Sequence, residues 1–192
     1  MARRIAFAVF STLHRRVAAK RPPDFIVGAA SHGGAYLHRW YLTPWRAWYR
    51  DVPEAERTRW QRLAVGVSRC LPNLYLHLFL RDDDDRALHD HPSWAASLIL
   101  SGGYVEHTIA AGGIHHRTRF RAGSLRWLKT THAHRIELER DALGRSLPCW
   151  TLFLFGPVRR HWGFHCPERG WVPWEEFTAA GKPGEVGKGC DA

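Results

Sequence analysis

Two histidines flank a single aspartate in the segment LHDHPSWAASLILSGGYVEH, residues 88–107. These are His89 and His91, and an apolar run follows them shortly after. Side chains two residues apart in an extended chain project to the same face, so both imidazole rings can point at one place. Neutral imidazole is a ligand that Fe, Zn, Cu and Ni accept. The spacing predicts two ligands of one metal ion, and it requires a third ligand from elsewhere in the chain.

A second histidine pair, His132 and His134, lies in the segment RAGSLRWLKTTHAHRIEL, residues 121–138. There a small turn is followed by a strand, a short loop and the two histidines. We take His134 as the third metal ligand and keep His132 as the alternative. Three protein ligands leave open coordination positions, which a catalytic metal needs and a closed structural site lacks.

Short β-strands must position these histidines. From Asn73 onward, runs rich in branched and aromatic residues alternate with charged or glycine-rich corners. The corners recur about every ten residues, which is typical of all-β sandwiches and barrels. Before them, residues 36–45 have the composition of a strand, and residues 51–65 that of a helix ended by Gly66.

The two histidine motifs, in this order and separation, resemble those of the cupin superfamily over roughly residues 72–157. The first cupin motif is HxH followed by a strand and a glycine corner, and the second is a PxG-like turn followed by a histidine. The resemblance implies a cupin-like double-stranded β-helix, a jelly-roll barrel, with a short N-terminal helical extension here. It also implies that His89, His91 and His134 hold a divalent metal in the mouth of the barrel.

The sequence departs from the cupin pattern at two places. The glutamate that usually follows HxH would fall near Ala95 or Ala96, which cannot bind a metal, and Arg121 replaces the proline of the turn. Glu106 and Asp90 are alternative carboxylates. A three-histidine set without a carboxylate resembles that of thiol dioxygenases. This likeness implies Fe(II) as the divalent metal, with Zn, Ni or Mn as alternatives.

We therefore expect a metal-binding protein, most concretely an Fe(II)-dependent dioxygenase that acts on a small polar molecule. Catalytic residues beyond the ligands are not identified. Four side chains are candidates for contact with the substrate: His77, Tyr75, Arg126 and Tyr104. One alternative is a non-enzymatic module that binds a small ligand or nucleic acid. The other is a metal-independent sugar-nucleotide isomerase that uses histidine and tyrosine as acid and base.

The positive charge of the chain is concentrated at its start. The net charge is +10, and residues 1–23 hold six Lys and Arg and no Asp or Glu, which is +6. Apolar residues at i+4 steps predict an amphipathic helix on the domain or on a membrane surface. The segment could contact nucleic acid or an anionic membrane. A homodimer is expected from the resemblance alone.

We divide the chain into four parts. Residues 1–35 are the basic helical extension and linker, and residues 36–70 a strand and helix that pack on the barrel. Residues 71–178 form the barrel with a Trp-rich C-terminal flap, and residues 179–192 a disordered tail. The four cysteines form no CxxC pair, so we expect free thiols in a reducing compartment, and hence a cytoplasmic protein.

Overall fold

A computed structural model of the chain describes residues 1–28, 34–49, 52–83, 87–179 and 187–190. The helices and strands are α1 (Ala2–Leu13), β1 (Phe25–Val27), β2 (Leu37–Tyr41), α2 (Arg59–Cys70), β3 (Asn73–Phe79), β4 (Leu88–His89), β5 (Ala95–Ser101), β6 (Gly103–Ala110), β7 (Ile114–Arg121), β8 (Leu125–Leu128), β9 (Arg135–Leu138), β10 (Cys149–Phe155), β11 (Gly163–Cys166), β12 (Gly170–Pro173) and α3 (Trp174–Phe177). Single helical turns occur at His14–Ala18, Trp45–Trp48, Glu54–Glu56 and Ala111–Gly113.

Three antiparallel sheets contain all of these strands. The largest has the order β1-β2-β3-β10-β5-β8, and the two others are β7-β6-β9 and β12-β11-β4. The predicted fold class is confirmed, because strands predominate and a short helix precedes them. The strand expected in residues 36–70 is β2, and it pairs with β3 in the same sheet as the barrel strands.

The outer face of the six-stranded sheet is apolar and is covered by α1. Trp40, Leu76 and Leu100 form its buried core, and the helix packs Val9 and Leu13 against them. Removing this apolar surface from water stabilises the helix on the domain. None of the described helices has the length and apolar content needed to cross a bilayer.

The inner face of the same sheet is polar and aromatic. Strand pairing aligns Arg39, His77 and Thr151 across β2, β3 and β10. The next row along the strands crosses the sheet and consists of Tyr41, Tyr75, Phe153, Ser97 and Arg126. Because side chains alternate between the two faces of a strand, the residues between these rows belong to the outer face.

The second helix is displaced from its predicted position. It begins at Arg59 and continues to Cys70, passing Gly66 instead of ending there. Thr58 caps it, since its hydroxyl oxygen accepts from the Gln61 N–H at 3.2 Å while Gln61 Oε1 accepts from the Thr58 N–H at 3.0 Å. This reciprocal capping box fixes the first turn more strongly than the proline and acidic residues upstream.

The expectation of four free thiols is wrong. Cys166 and Cys190 form a disulfide, whereas Cys70 and Cys149 are free. The Gly187 N–H donates to the carbonyl oxygen of Phe177 at 2.9 Å, which holds residues 187–190 against the domain. This part of the predicted disordered tail is therefore attached.

Some predicted segments lie outside the described residues. They include residues 29–33 of the predicted linker, and residues 180–186 and 191–192 of the predicted tail. The compartment stays a prediction.

Candidate metal centre

Backbone pairing places His134 beside His89. The N–H of each residue donates to the carbonyl oxygen of the other, at 2.9 Å and 3.0 Å. His89 is the last residue of β4, whose other neighbour is β11. Such a mutually bonded pair brings two side chains of distant strands onto the same face. His134 is therefore fixed beside the HxH segment, although His134 and His89 are 45 residues apart in the sequence (134 − 89).

The structure brings the three predicted ligands together. The ring centroids are 5.2 Å apart for His89 and His91, 4.9 Å for His89 and His134, and 5.1 Å for His91 and His134. One ring nitrogen of each lies within 4.8 Å of the others. The Nε2 atoms of His91 and His134 are 2.9 Å apart. Two nitrogens at right angles, each about 2.1 Å from one ion, are about 3.0 Å apart, so this donor set fits a metal.

Burial keeps two of these histidines neutral. It lowers the pKa of His89 to about 4, although the negative charge of Asp83 opposes the effect. Burial also lowers the pKa of His91 well below its usual value, and the neighbouring histidine His134 adds to this. A neutral imidazole has the free lone pair that metal binding requires, so both rings are ready as ligands at neutral pH.

Glu106 orients His134 from behind. Its Oε1 lies 2.7 Å from Nδ1 of His134, and its Oε2 lies 2.8 Å from Arg126 Nη2. Because a carboxylate accepts the Nδ1 proton, Nε2 of His134 keeps its lone pair and faces His91. Burial alone would raise the pKa of Glu106, but hydrogen bonds from His132, His134 and Arg126 outweigh it and hold the pKa well below its usual value. A carboxylate in this position is a common partner of metal-bound histidine.

A second group of donors overlaps the first. Glu106, His132 and His134 also bring three ligand atoms within 4.8 Å of one another. This group would use Nδ1 of His134, the nitrogen that Glu106 already binds. Since Glu106 is neutralised by Arg126 and its hydrogen bond leaves the other nitrogen of His134 free, this geometry favours His89, His91 and His134 as the candidate ligands. His132 then serves as a further donor to Glu106, at 3.2 Å.

Asp90, the middle residue of HxH, points away from the three rings and binds residues 160–171 of the C-terminal segment. It is 1 % exposed. Its carboxylate accepts hydrogen bonds at 3.0–3.1 Å from four donors: Arg160, the Gly163 N–H, His165 and the Trp171 indole. It belongs to neither donor group among the described residues. The alternation that aims His89 and His91 at one point also directs Asp90 to the opposite side.

The four predicted substrate contacts fall into two pairs. Tyr75 and His77 lie on the inner face, with stacked rings 5.6 Å apart. Tyr104 is 5 % exposed within an apolar cluster. Arg126 is paired with Glu106. Arg126 lies in the same inner-face row as Tyr75, and its ion pair positions Glu106 beside His134.

Sequence reasoning missed Arg39. Its Nε donates to Nε2 of His77 at 3.0 Å. Arg39 lies between Leu37 and Tyr41 on the inward-facing positions of β2. A signal was present, because a charged residue at an apolar position of a strand predicts a buried polar contact. Only the pairing of β2 with β3 shows that the contact is His77.

Comparisons with known proteins concern the fold. No family model and no curated protein matches the chain. Solved structures similar to it include a Bacillus subtilis oxalate decarboxylase variant (12 % identity, TM-score 0.43, covering 78 % of this chain and 31 % of that one). A Pseudomonas putida prolyl-4-hydroxylase is also similar (18 % identity, TM-score 0.43, 82 % of this chain and 88 % of that one).

A third similar structure is a Klebsiella pneumoniae protein with a double-stranded β-helix domain (18 % identity, TM-score 0.35, 50 % of this chain and 75 % of that one). These proteins belong to the cupin and double-stranded β-helix superfamily, which the sequence motifs resemble. This chain spans about a third of the oxalate decarboxylase, 31 %. At these identities and TM-scores, conclusions about the metal, reaction and substrate come from the chain's own residues.

Single substitutions distinguish the two donor groups. We expect His91→Ala to abolish stoichiometric metal binding, because it removes a ligand. We expect His132→Ala to retain the metal within about tenfold of wild-type affinity, because it removes only a hydrogen bond to Glu106. Elemental mass spectrometry of untagged, metal-loaded protein measures both. Metal retained in His91→Ala and lost in His132→Ala would assign the ion to the group containing Glu106.

The orienting role of Glu106 has its own test. We expect Glu106→Gln to weaken metal affinity about 10–100-fold, because the amide cannot replace the charge that holds His134 and Arg126. Glu137→Gln is the matched control. Glu137 also accepts from a histidine, since its Oε2 lies 2.9 Å from Nε2 of His107, but it contacts none of the three candidate ligands among the described residues. Competition with a metal-binding dye gives both affinities. Equal affinities in the two variants would contradict the role.

Proposed function

We propose that the chain is a metal-dependent enzyme of the three-histidine type, an Fe(II) dioxygenase that acts on a small polar molecule. One observation carries this proposal: three imidazole rings converge with centroid separations of 4.9–5.2 Å, and no carboxylate of the described residues belongs to the set. His89, His91 and His134 would hold the ion, and Fe(II) would supply open positions for O₂ and substrate. Zn, Ni or Mn would use the same ligands.

The surrounding side chains orient the ligands and shape the space beside them. Glu106 holds Nδ1 of His134, and Arg126 neutralises Glu106. Phe153 lies with its ring 6.4 Å from that of His91 and places an apolar surface beside the candidate ligands. Tyr75, beside Phe153 in the same row of the inner face, offers a polar group to a substrate. This chemistry favours a small molecule bound between apolar walls by a few directed polar contacts.

The identity and openness of the metal site can be tested without knowing the substrate. We expect untagged protein to bind close to one iron per chain after anaerobic loading. We expect nitric oxide, a stable substitute for O₂, to bind this iron and produce a new electron paramagnetic resonance signal, because three protein ligands leave positions open. His91→Ala should lose both the iron and the signal.

The possible outcomes test the metal site, its open coordination positions and the dioxygenase activity separately. Zinc or nickel in place of iron, with the same loss in His91→Ala, would keep the metal site and overturn the dioxygenase. Iron that does not react with nitric oxide would indicate a closed structural site. Failure to bind any metal under anaerobic loading would overturn both.

Binding to nucleic acid is a second candidate function, favoured by the arrangement of α1. Its apolar side packs on the sheet. Arg4 of this helix is exposed, as are Arg15 and Arg16 of the turn His14–Ala18 that continues it. Exposed arginines on a fixed helix are available to phosphate groups. Deleting residues 1–23 would uncover the core beneath, so charge substitution is the appropriate change.

We expect the triple substitution of Arg4, Arg15 and Arg16 to Gln to weaken binding of duplex DNA at low salt. The slope of log affinity against log salt should fall by about one for each lost phosphate contact. Triple substitution of Arg117, Arg119 and Arg121 removes the same charge from β7, where these residues are 58–64 % exposed, and is the control. Fluorescence anisotropy measures both. Undetectable binding by wild type at low salt would count against this candidate.

A further inference from the structure

Two arginines converge on one tyrosine at the inner face of the six-stranded sheet. The guanidinium carbon of Arg39 lies 5.0 Å from the ring centroid of Tyr75, and that of Arg46 lies 5.8 Å from the same centroid. Arg46 also lies 5.4 Å from the ring centroid of Tyr41. Both guanidinium groups are thus held against aromatic rings, a contact that orients their planes, and Arg39 also donates from Nε to His77.

These two cations have no carboxylate partner among the described residues. Burial lowers the pKa of Arg39, and the positive charge of Arg46 adds to the effect. Two like charges in a partly buried place repel each other unless an anion lies between them. The arrangement is therefore complementary to a negative charge.

Three buried polar groups beside Arg39 also have no hydrogen-bond partner among the residues that the structure describes. Tyr75 Oη, His77 Nδ1 and Thr151 Oγ1 form no hydrogen bond, and the three residues are 3 %, 3 % and 1 % exposed. Because Arg39 Nε donates to Nε2 of His77, the imidazole carries its proton on Nδ1 and offers a donor there. All three can donate, and a ligand rich in acceptor oxygens would satisfy them.

We infer that Arg39 and Arg46, with the hydroxyl of Tyr75, form a subsite for an oxyanion, the carboxylate or phosphate group of a small organic acid. A guanidinium group binds both kinds of anion through two parallel hydrogen bonds. That this acid is the substrate rests on the metal-dependent function proposed above.

The subsite adjoins the candidate metal centre. The ring of Phe153 lies 5.0 Å from that of His77 on one side and 6.4 Å from that of His91 on the other. An acid bound at Arg39 would therefore place its remaining atoms past Phe153, toward the metal ligands.

Anion binding is measured directly by titrating the full chain with succinate and, separately, with inorganic phosphate in an isothermal calorimeter. The buffer holds no other multivalent anion, and the protein is studied both with metal and after chelation. We expect Arg39→Gln to weaken binding at least about tenfold in both forms, because a charge-assisted pair is lost. Tyr75→Phe, which removes only the hydroxyl, should weaken it severalfold.

Arg119→Gln is the matched control, because Arg119 is 59 % exposed on β7 and lies 3.7 Å from Glu139. It should bind both anions as wild type does. Tighter binding of succinate assigns a carboxylate to the subsite, and tighter binding of phosphate assigns a phosphate. If Arg39→Gln does not fold by circular dichroism, Arg46→Gln at the edge of the site replaces it.

Wild-type affinity in both arginine variants, or an equal loss in Arg119→Gln, would overturn the subsite. The metal assay separates this result from failure of the proposed function. Anion binding that is lost in Arg39→Gln supports the subsite even if the chain binds no metal. Iron binding without anion binding would leave the proposed function intact and overturn the subsite.

Discussion

The candidate centre depends on the contacts that the buried carboxylate of Glu106 makes with His134 and Arg126. Glu106 lies on β6, and its oxygens bind Arg126 of the six-stranded sheet and His134, which is bridged to β4. One side chain thus joins all three sheets where the histidines meet. At 4 % exposure it cannot exchange these partners for water. A buried charge without partners is costly, so the sheets keep the relative position that brings the rings together.

The two faces of the six-stranded sheet differ in composition: the outer face is apolar and the inner face is polar and aromatic. Its outer face buries Trp40 and Leu76 beneath α1, where apolar packing stabilises the fold. Its inner face carries Arg39, His77 and Tyr75, where Arg39 donates to His77 and the buried Tyr75 Oη has no hydrogen-bond partner among the described residues. The basic N-terminal helix is consequently a structural part of the domain.

The C-terminal segment supports the centre from the other side. The sequence predicts a Trp-rich flap that covers the barrel by packing. In the structure the indole of Trp171 donates to Asp90 at 3.1 Å, as does the imidazole of His165. These bonds hold Asp90, the residue between the candidate ligands His89 and His91. The disulfide between Cys166 of β11 and Cys190 attaches the end of this segment to the sheet β12-β11-β4.

The sequence by itself determined the features that depend on neighbours in the chain: the strand pattern, the paired projection of His89 and His91, and the amphipathic first helix. These follow from local periodicity, which needs no knowledge of distant residues. The tertiary structure decided that His134 pairs with His89, that Glu106 stands behind it, and that Arg39 faces inward. Each of these depends on the register between strands far apart in sequence, and burial and hydrogen bonding across the whole domain select that register.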